Sequence, residues 1–497
     1  MNFEKKMKKH IDQTLDEIVP NPYPTPTPKK TPFPLWAKVA IPAVSFGLAA
    51  SITFAVVIPT LLGANGAKNN RKDPYGENTN VSTKDKGGVS RSPTSKNGPA
   101  GSSKAPTSEI YIPSEGLLPA AAPFVSNRIY TLDNKFVKNT ALKSIANIES
   151  VFANPLNKNV VISPASYLLC MMGLIAVSDG YNLEPFGLTD PDAELKTFLE
   201  AMNCAYSNQG QTNQGKLIGS YRAGVLHQQV GNGYQFNEEK RKQVADKYIA
   251  TGIATPGNYR QQAKEYFEHA VDLTLDIPDL RITGSALVTY GALKMLDSFT
   301  FTTEKMDFNT GSETVNVDSA KFGDPNNVSK CPGTMYFTND YYSTFRIRLS
   351  TTEFVVVLPQ EGVSLESISV SEALANHTNN AKPRYFYGNI PYFHLRTEGL
   401  DLTRNTMNNM TGEEVMYSKL MDRGLPASNT GLLVLQSSDF QFSENGVAGE
   451  SITASSGSGA IDHPNNPVEL IVDRPFYAIC LRDNFPLFVN KVNDPSK

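Results

Sequence analysis

The chain has 497 residues, and at roughly 100–200 residues per domain that length allows two to four domains. Hydrophobic residues make up 40% and charged residues 19%, with Gly 35 and Pro 33, which excludes a wholly disordered, a collagenous and a many-span membrane chain. Lys+Arg 46 against Asp+Glu 49 leaves a formal charge of −3, so there is no broad cationic face for nucleic acid.

Residues 1–38 open with the basic run Lys5, Lys6, Lys8 and Lys9, then pass into NPYPTPTPKKTPFP, which proline holds extended and unpacked. Residues 39–63, VAIPAVSFGLAASITFAVVIPTLLG, carry no charge. About 20 apolar residues suffice to cross a hydrocarbon core of ~30 Å, so the run predicts a single transmembrane helix. A core helix is seldom this long, and a cleaved signal peptide has a shorter apolar region nearer the terminus. Lysines are denser before the span than after it, where Lys68, Arg71 and Lys72 follow. The positive-inside bias therefore puts the N-terminus in the cytoplasm and the rest of the chain outside the cell. Residues 64–119, rich in Gly, Ser, Asn, Lys, Thr and Pro, predict a flexible extracytoplasmic linker that buries too little surface to offset chain entropy.

From 120 to 497 the composition is globular. TALKSIANIESVFAN, SYLLCMMGLIAVS and DAELKTFLEAMN read as helices; ALVTYGA, TVNVDSA, FRIRLS, EFVVVLP, GLLVLQSS and ELIVD read as strands. Helices early and strands late favour an α+β domain over alternating βαβ units.

Patterns for ordinary catalysis are missing. GQTNQGKL at 210–217 imitates a phosphate-binding loop but has Leu217 where a hydroxyl is needed, and no strand leads into it. There is no GxSxG. His10, His227, His269, His377, His394 and His463 show no ligand spacing. No metal site, no cofactor and no enzymatic activity are expected. Cys170, Cys204, Cys331 and Cys480 contain no CxxC pair, so free thiols are the expectation, with one bridge left open. One stretch does stand out. SENGVAGESITASSGSGAIDHPNNP is a loop far beyond the usual 12–15 residues. Its alternate residues Val447, Gly449, Ser451, Thr453, Ser455, Gly457 and Gly459 are compact and uncharged. If this loop became a central strand, that face could be buried without burying charge; a low-complexity linker is the other reading.

Five segments, in order, resemble the serpin family across the whole globular part. NVVISPAS at 159–166 is similar to the family's NVxxSPxS, EFVVVLPQEG at 353–362 to its LPxEG strand, and IPYF at 390–393 to its PxF strand. ENGVAGESIT at 444–453 is similar to its hinge, and DRPFYAICLRDNFPLFVNKVNDP at 473–495 to its C-terminal pattern. The resemblance implies a three-sheet α+β fold with an exposed reactive-centre loop. It implies inhibition of serine, less often cysteine, proteases: the cleaved loop enters the central sheet and traps the acyl-enzyme. Glu444, Gly446, Val447, Gly449, Ser451 and Thr453 then form the hinge and the buried face of the inserted strand.

The sequence also departs from the family. In the segment under the opening sheet, Gly291 stands for an asparagine and Phe299 for a tryptophan, and Gln436 occupies the usual histidine position. Ser163 and Ser166 are kept, so the network is expected to lose two partners. Counting forward from the hinge puts the scissile bond at Ala460–Ile461; counting back from Pro475 puts it nearer Pro464. With no Lys or Arg in Ser458–His463, the expected target prefers small apolar residues. The competing reading from another class is a non-inhibitory serpin-fold binding or adhesion module.

Overall fold

Continuous apolar runs become the innermost elements of the protein. The computed structural model describes residues 49–59, 117–118, 136–156, 158–179, 186–202, 219–228, 238–245, 249–254, 260–265, 275–279, 286–295, 297–298, 301–349, 352–409, 417–418, 430–444, 446–447 and 466–497. In chain order the strands of its two large sheets are β1 (Ala49–Pro59), β2 (Leu117–Leu118), β3 (Val160–Ile162), β4 (Gly219–Gln228), β5 (Ile249–Ala254) and β6 (Ala286–Met295). They continue with β7 (Thr302–Asn309), β8 (Thr314–Phe322), β9 (Gly333–Thr338), β10 (Tyr342–Arg348), β11 (Glu353–Pro359) and β12 (Lys382–Pro391). The last are β13 (Phe393–Asp401), β14 (Thr430–Phe442), β15 (Val468–Ile471), β16 (Phe476–Arg482) and β17 (Phe485–Val492). The helices used below are α1 (Leu142–Ile148), α2 (Pro164–Val177), α3 (Pro191–Met202) and α4 (Val370–Asn380).

Two large sheets result. The central one has the order β13-β14-β1-β6-β4-β5-β2; the other runs β3-β17-β16-β11-β10-β9-β12-β8-β7, with β15 added to β12. EFVVVLP, FYAICLR and FPLFVNKV form the middle of the second sheet and are buried almost without interruption, the pattern of strands covered on both faces. Asp483 and Asn484, at φ 50° and 61°, turn β16 into β17 as a two-residue hairpin of the kind that needs positive φ twice. β7 and β8, by contrast, alternate buried and exposed residues toward one edge.

α2 explains how the two sheets are joined. Its sequence PASYLLCMMGLIAV is apolar all round, and Ala165 through Met172 are buried, which suits a helix enclosed on every side. Pro164 occupies the first helical position, where no N–H is needed. Ser163 caps the helix, its Oγ accepting from the N–H of Ser166 at 3.0 Å. Upstream, Asn159 anchors the approach to the C-terminal segment: its Oδ1 accepts from the N–H groups of Asn493 and Asp494, and its Nδ2 donates to the Asp494 carbonyl.

The expected α+β class and most expected elements are present, but the 39–63 run differs from expectation. Ala49–Pro59 is a strand, not part of a helix, and the rest of the run lies outside the described residues. No helix among the described residues is long and apolar enough to cross a membrane. The physical reason is legible in composition: Ile52, Thr53, Val56, Val57 and Ile58 are β-branched and suit a pleated strand as well as a bilayer. Residues 117–118, read as linker, form an edge strand on β5.

Candidate functional site

The candidate site is the seam of the central sheet between β6 and β14. These two strands are not neighbours: β1 lies between them, antiparallel to both, pairing from Ala50↔Asp439 to Pro59↔Thr430 on one side and from Ala49↔Met295 to Val57↔Leu287 on the other. β6 and β14 therefore run in the same direction, and the space between them accepts one antiparallel strand.

Under the middle of that seam the structure brings four of the expected residues together. The Gln436 Nε2 donates to the Ser163 carbonyl at 2.9 Å, while its Oε1 accepts from the Ser163 N–H at 2.9 Å. Ser166 Oγ donates to the Gly291 carbonyl at 2.8 Å. Ser163, Ser166 and Gln436 are all buried. The N-terminus of α2 is thus pinned to β14 by Gln436 and to β6 by Ser166, one clamp on each flank of the seam. Gln436 is consequently not the lost partner its departure from the family pattern suggested, because its amide both donates and accepts where it stands. Gly291 has a packing reason: a Cβ there would lie 2.5–2.6 Å from Leu169 Cβ, the Cys170 nitrogen and the Ser166 oxygen, so the close approach of α2 to β6 requires glycine. One helical turn on, Cys170 Sγ sits 3.4 Å from the Thr289 carbonyl. Cys170, Cys331 and Cys480 are buried free thiols.

At the upper end of the seam the chain leaves β14 toward the long loop. Glu444 is exposed and its carbonyl accepts from the Phe301 N–H at 3.1 Å. Gly446 and Val447 then pair antiparallel with Ser298 and Asp297, just beyond β6. The beginning of the hinge therefore already lies beside the short stretch that follows β6, at the end of the seam. Gly449, Ser451, Thr453, Phe299 and the expected scissile bond Ala460–Ile461 lie outside the described residues, as does GQTNQGKL.

Two histidines have structural partners. His377, buried on α4, faces Thr344 with Nδ1 and Oγ1 2.8 Å apart; burial, helped by the nearby positive charge of Arg346, lowers its pKa to about 3. His394 lies 2.8 Å from Asp439 across β13 and β14, and that hydrogen bond raises its pKa. Lys491 is fully buried, donating to the carbonyls of Phe152 and Asn154 and to Glu366 at 2.8 Å. Burial alone would raise the Glu366 carboxyl, but hydrogen bonds from Lys491 and Ser364 outweigh it and hold it at about 2. Among the described residues there is no group of side chains that could hold a metal ion.

No family model matches the chain, and no curated protein matches it by sequence. Solved structures do. A thermophilic serpin, tengpin, in its native state aligns at a TM-score of 0.53 and 16% identity, over 76% of this chain and 97% of its own. Human thyroxine-binding globulin with its bound hormone aligns at 0.53 and 14%, over 73% and 100%. The cleaved form of Serpin 42Da aligns at 0.51 and 15%, over 72% and 98%. The protein has the serpin fold.

Proposed function

We propose that this chain is a membrane-anchored, outward-facing protease inhibitor that works by loop cleavage, acyl-enzyme trapping and loop insertion. The observation that carries the reading is the start of the loop, Gly446–Val447, seated on Asp297–Ser298 at the mouth of a seam that takes one antiparallel strand. A strand returning from β14 has the required direction. Once the loop is cut, the freed end can extend this pairing and carry the attached protease along, converting hydrogen bonds gained in the sheet into a trapped intermediate. Cleavage at Ala460–Ile461 fits an enzyme pocket that takes small apolar side chains. In this reading residues 1–38 are cytoplasmic, residues 39–63 cross the bilayer, and the linker holds the inhibitory domain outside.

A second reading, a non-inhibitory binding or adhesion module on the same fold, is favoured by one observation: in this structure the seam is already filled by β1. A structural neighbour whose name records thyroxine binding illustrates such a use of the fold. Incubation of the full chain in phospholipid vesicles with elastase- or subtilisin-type proteases separates the two. An adduct that survives boiling in detergent supports inhibition; loop nicking without adduct, across both enzymes, supports the binding module.

A further inference from the structure

β1 and the reactive loop are written in the same register. Continuing the pairing Val447↔Asp297 along β6 puts Gly449 opposite Met295, Ser451 opposite Leu293, Ile452 opposite Ala292 and Thr453 opposite Gly291. Those four places are held by Ala49, Ser51, Ile52 and Thr53. If the inserting strand turned back from β14 through two residues at 444–445, the agreement would carry across to β14. Ser451 would face Ser438 and Thr453 would face Gln436, again the partners of Ser51 and Thr53. The tripeptide Ser-Ile-Thr occurs at 51–53 and at 451–453, so the two segments would place the same three residues over the Ser163–Gln436 clamp. Gly446–Val447 and β1 lie end to end along one edge, and the loop can advance past Ala448 only by displacing Ala49.

We infer that residues 49–59 are a built-in competitor for the strand site of the reactive loop, and that loop insertion requires this segment to leave the sheet for a lipid bilayer. The inference rests on the inhibitory reading for its consequence but not for the competition itself. Beyond the shared tripeptide, β1 continues as Phe54, Ala55, Val56, Val57 and Ile58, whereas the loop continues as Ala454, Ser455, Ser456, Gly457 and Ser458. β-Branched and aromatic residues fill a pleated central strand better than Ser and Gly, so β1 is the stronger occupant until something else binds it. The long chain between β1 and the next sheet strand adds little to the entropy of its docking, since closure entropy grows only logarithmically with length. A bilayer can supply the alternative. The whole run 39–63 is uncharged and long enough to span, but in lipid its backbone must close its own hydrogen bonds as a helix, so it cannot remain paired with β6 and β14. The same eleven residues cannot occupy both places, and the ligand that empties the site is a lipid phase.

The test uses the full chain with Val56→Cys and Leu433→Cys, positions that face each other across β1 and β14, and the two single variants as controls. In lipid-free buffer, oxidation is expected to give a 56–433 disulfide, identified by peptide mapping. In phosphatidylcholine vesicles it is expected not to. The oxidised protein, challenged with an elastase-type protease, is expected to be nicked with no adduct and no rise in unfolding temperature. The reduced protein in vesicles is expected to show both. Failure to cross-link in lipid-free buffer, or a rise on nicking in the oxidised form equal to that of the reduced form, overturns the competition. A temperature rise confined to the reduced form, with adduct in neither, upholds the competition and removes the inhibitory reading.

Discussion

Replacing Gln436 with Leu removes the clamp between α2 and β14 without changing much volume. The Ser163 N–H then loses its partner at 2.9 Å in a place with no solvent exposure, a loss of about 1–3 kcal/mol for a buried unsatisfied donor. The Ser163 carbonyl suffers less, because it still accepts from the Tyr167 N–H at 3.0 Å; forfeiting the Gln436 bond there adds about 0.5–1 kcal/mol. The Ser438 hydroxyl, 3.4 Å from Gln436 Oε1, contributes little at that distance. The expected destabilisation is about 2–3 kcal/mol, read as a lower urea midpoint with an unchanged slope. A fall below about 0.5 kcal/mol for Gln436→Leu would refute the reasoning, because it would mean that the Ser163 N–H finds another partner that its burial excludes.

Acid should expose His377. Its folded pKa of about 3 lies below its unfolded value near 6.5, so the unfolded chain takes the proton first, and the stabilisation, complete above 6.5, is lost as pH falls. At pH 5 the loss is about 2 kcal/mol, and His377→Gln should show a shallower fall between pH 7 and 5; equal slopes would contradict the burial argument. Glu366, depressed to about 2, contributes above its unfolded value of 4.5 and loses that only below it, outside this window. His394, raised by Asp439, acts in the opposite sense but is half exposed and cancels in the comparison. Membrane topology has its own test: protease added to intact cells should release the 120–497 domain and leave residues 1–38 protected, and a domain resistant until permeabilisation would reverse the orientation.

Much of the fold was legible because its strands are written in short apolar, β-branched runs. EFVVVLP, FRIRLS and TVNVDSA need no partner information to be recognised as strands. The run 39–63 was not, because the same composition satisfies a bilayer and a central strand, and the strands that receive it lie hundreds of residues away. One signal was available: Ser-Ile-Thr at 51–53 repeats at 451–453, but it gains meaning only once both are set against Gly291 and Gln436. The clamp was half legible. Ser163, Ser166, Gly291 and Gln436 stood out by position, yet that a glutamine amide serves both the N–H and the carbonyl of Ser163 depends on a geometry that no spacing encodes. The scissile bond stays an expectation drawn from counting, since it lies outside the described residues.

The central claim, that the cut loop enters the seam in the register of β1, is tested most directly at Thr453. In that register Thr453 falls between Gly291 and Gln436, above the buried clamp, while Ile452 falls on the opposite face beside Ala292 and Ser437. Thr453→Arg would carry an unpaired charge into the sheet interior, an effective penalty of several kcal/mol, with added volume against a close-packed helix. The measurement is the ratio of protease captured as stable adduct to loop merely cut, for Thr453→Arg and Ile452→Arg, in vesicles. Thr453→Arg is expected to be consumed as a substrate while Ile452→Arg retains adduct formation. Equal ratios, or the reverse order, would contradict it.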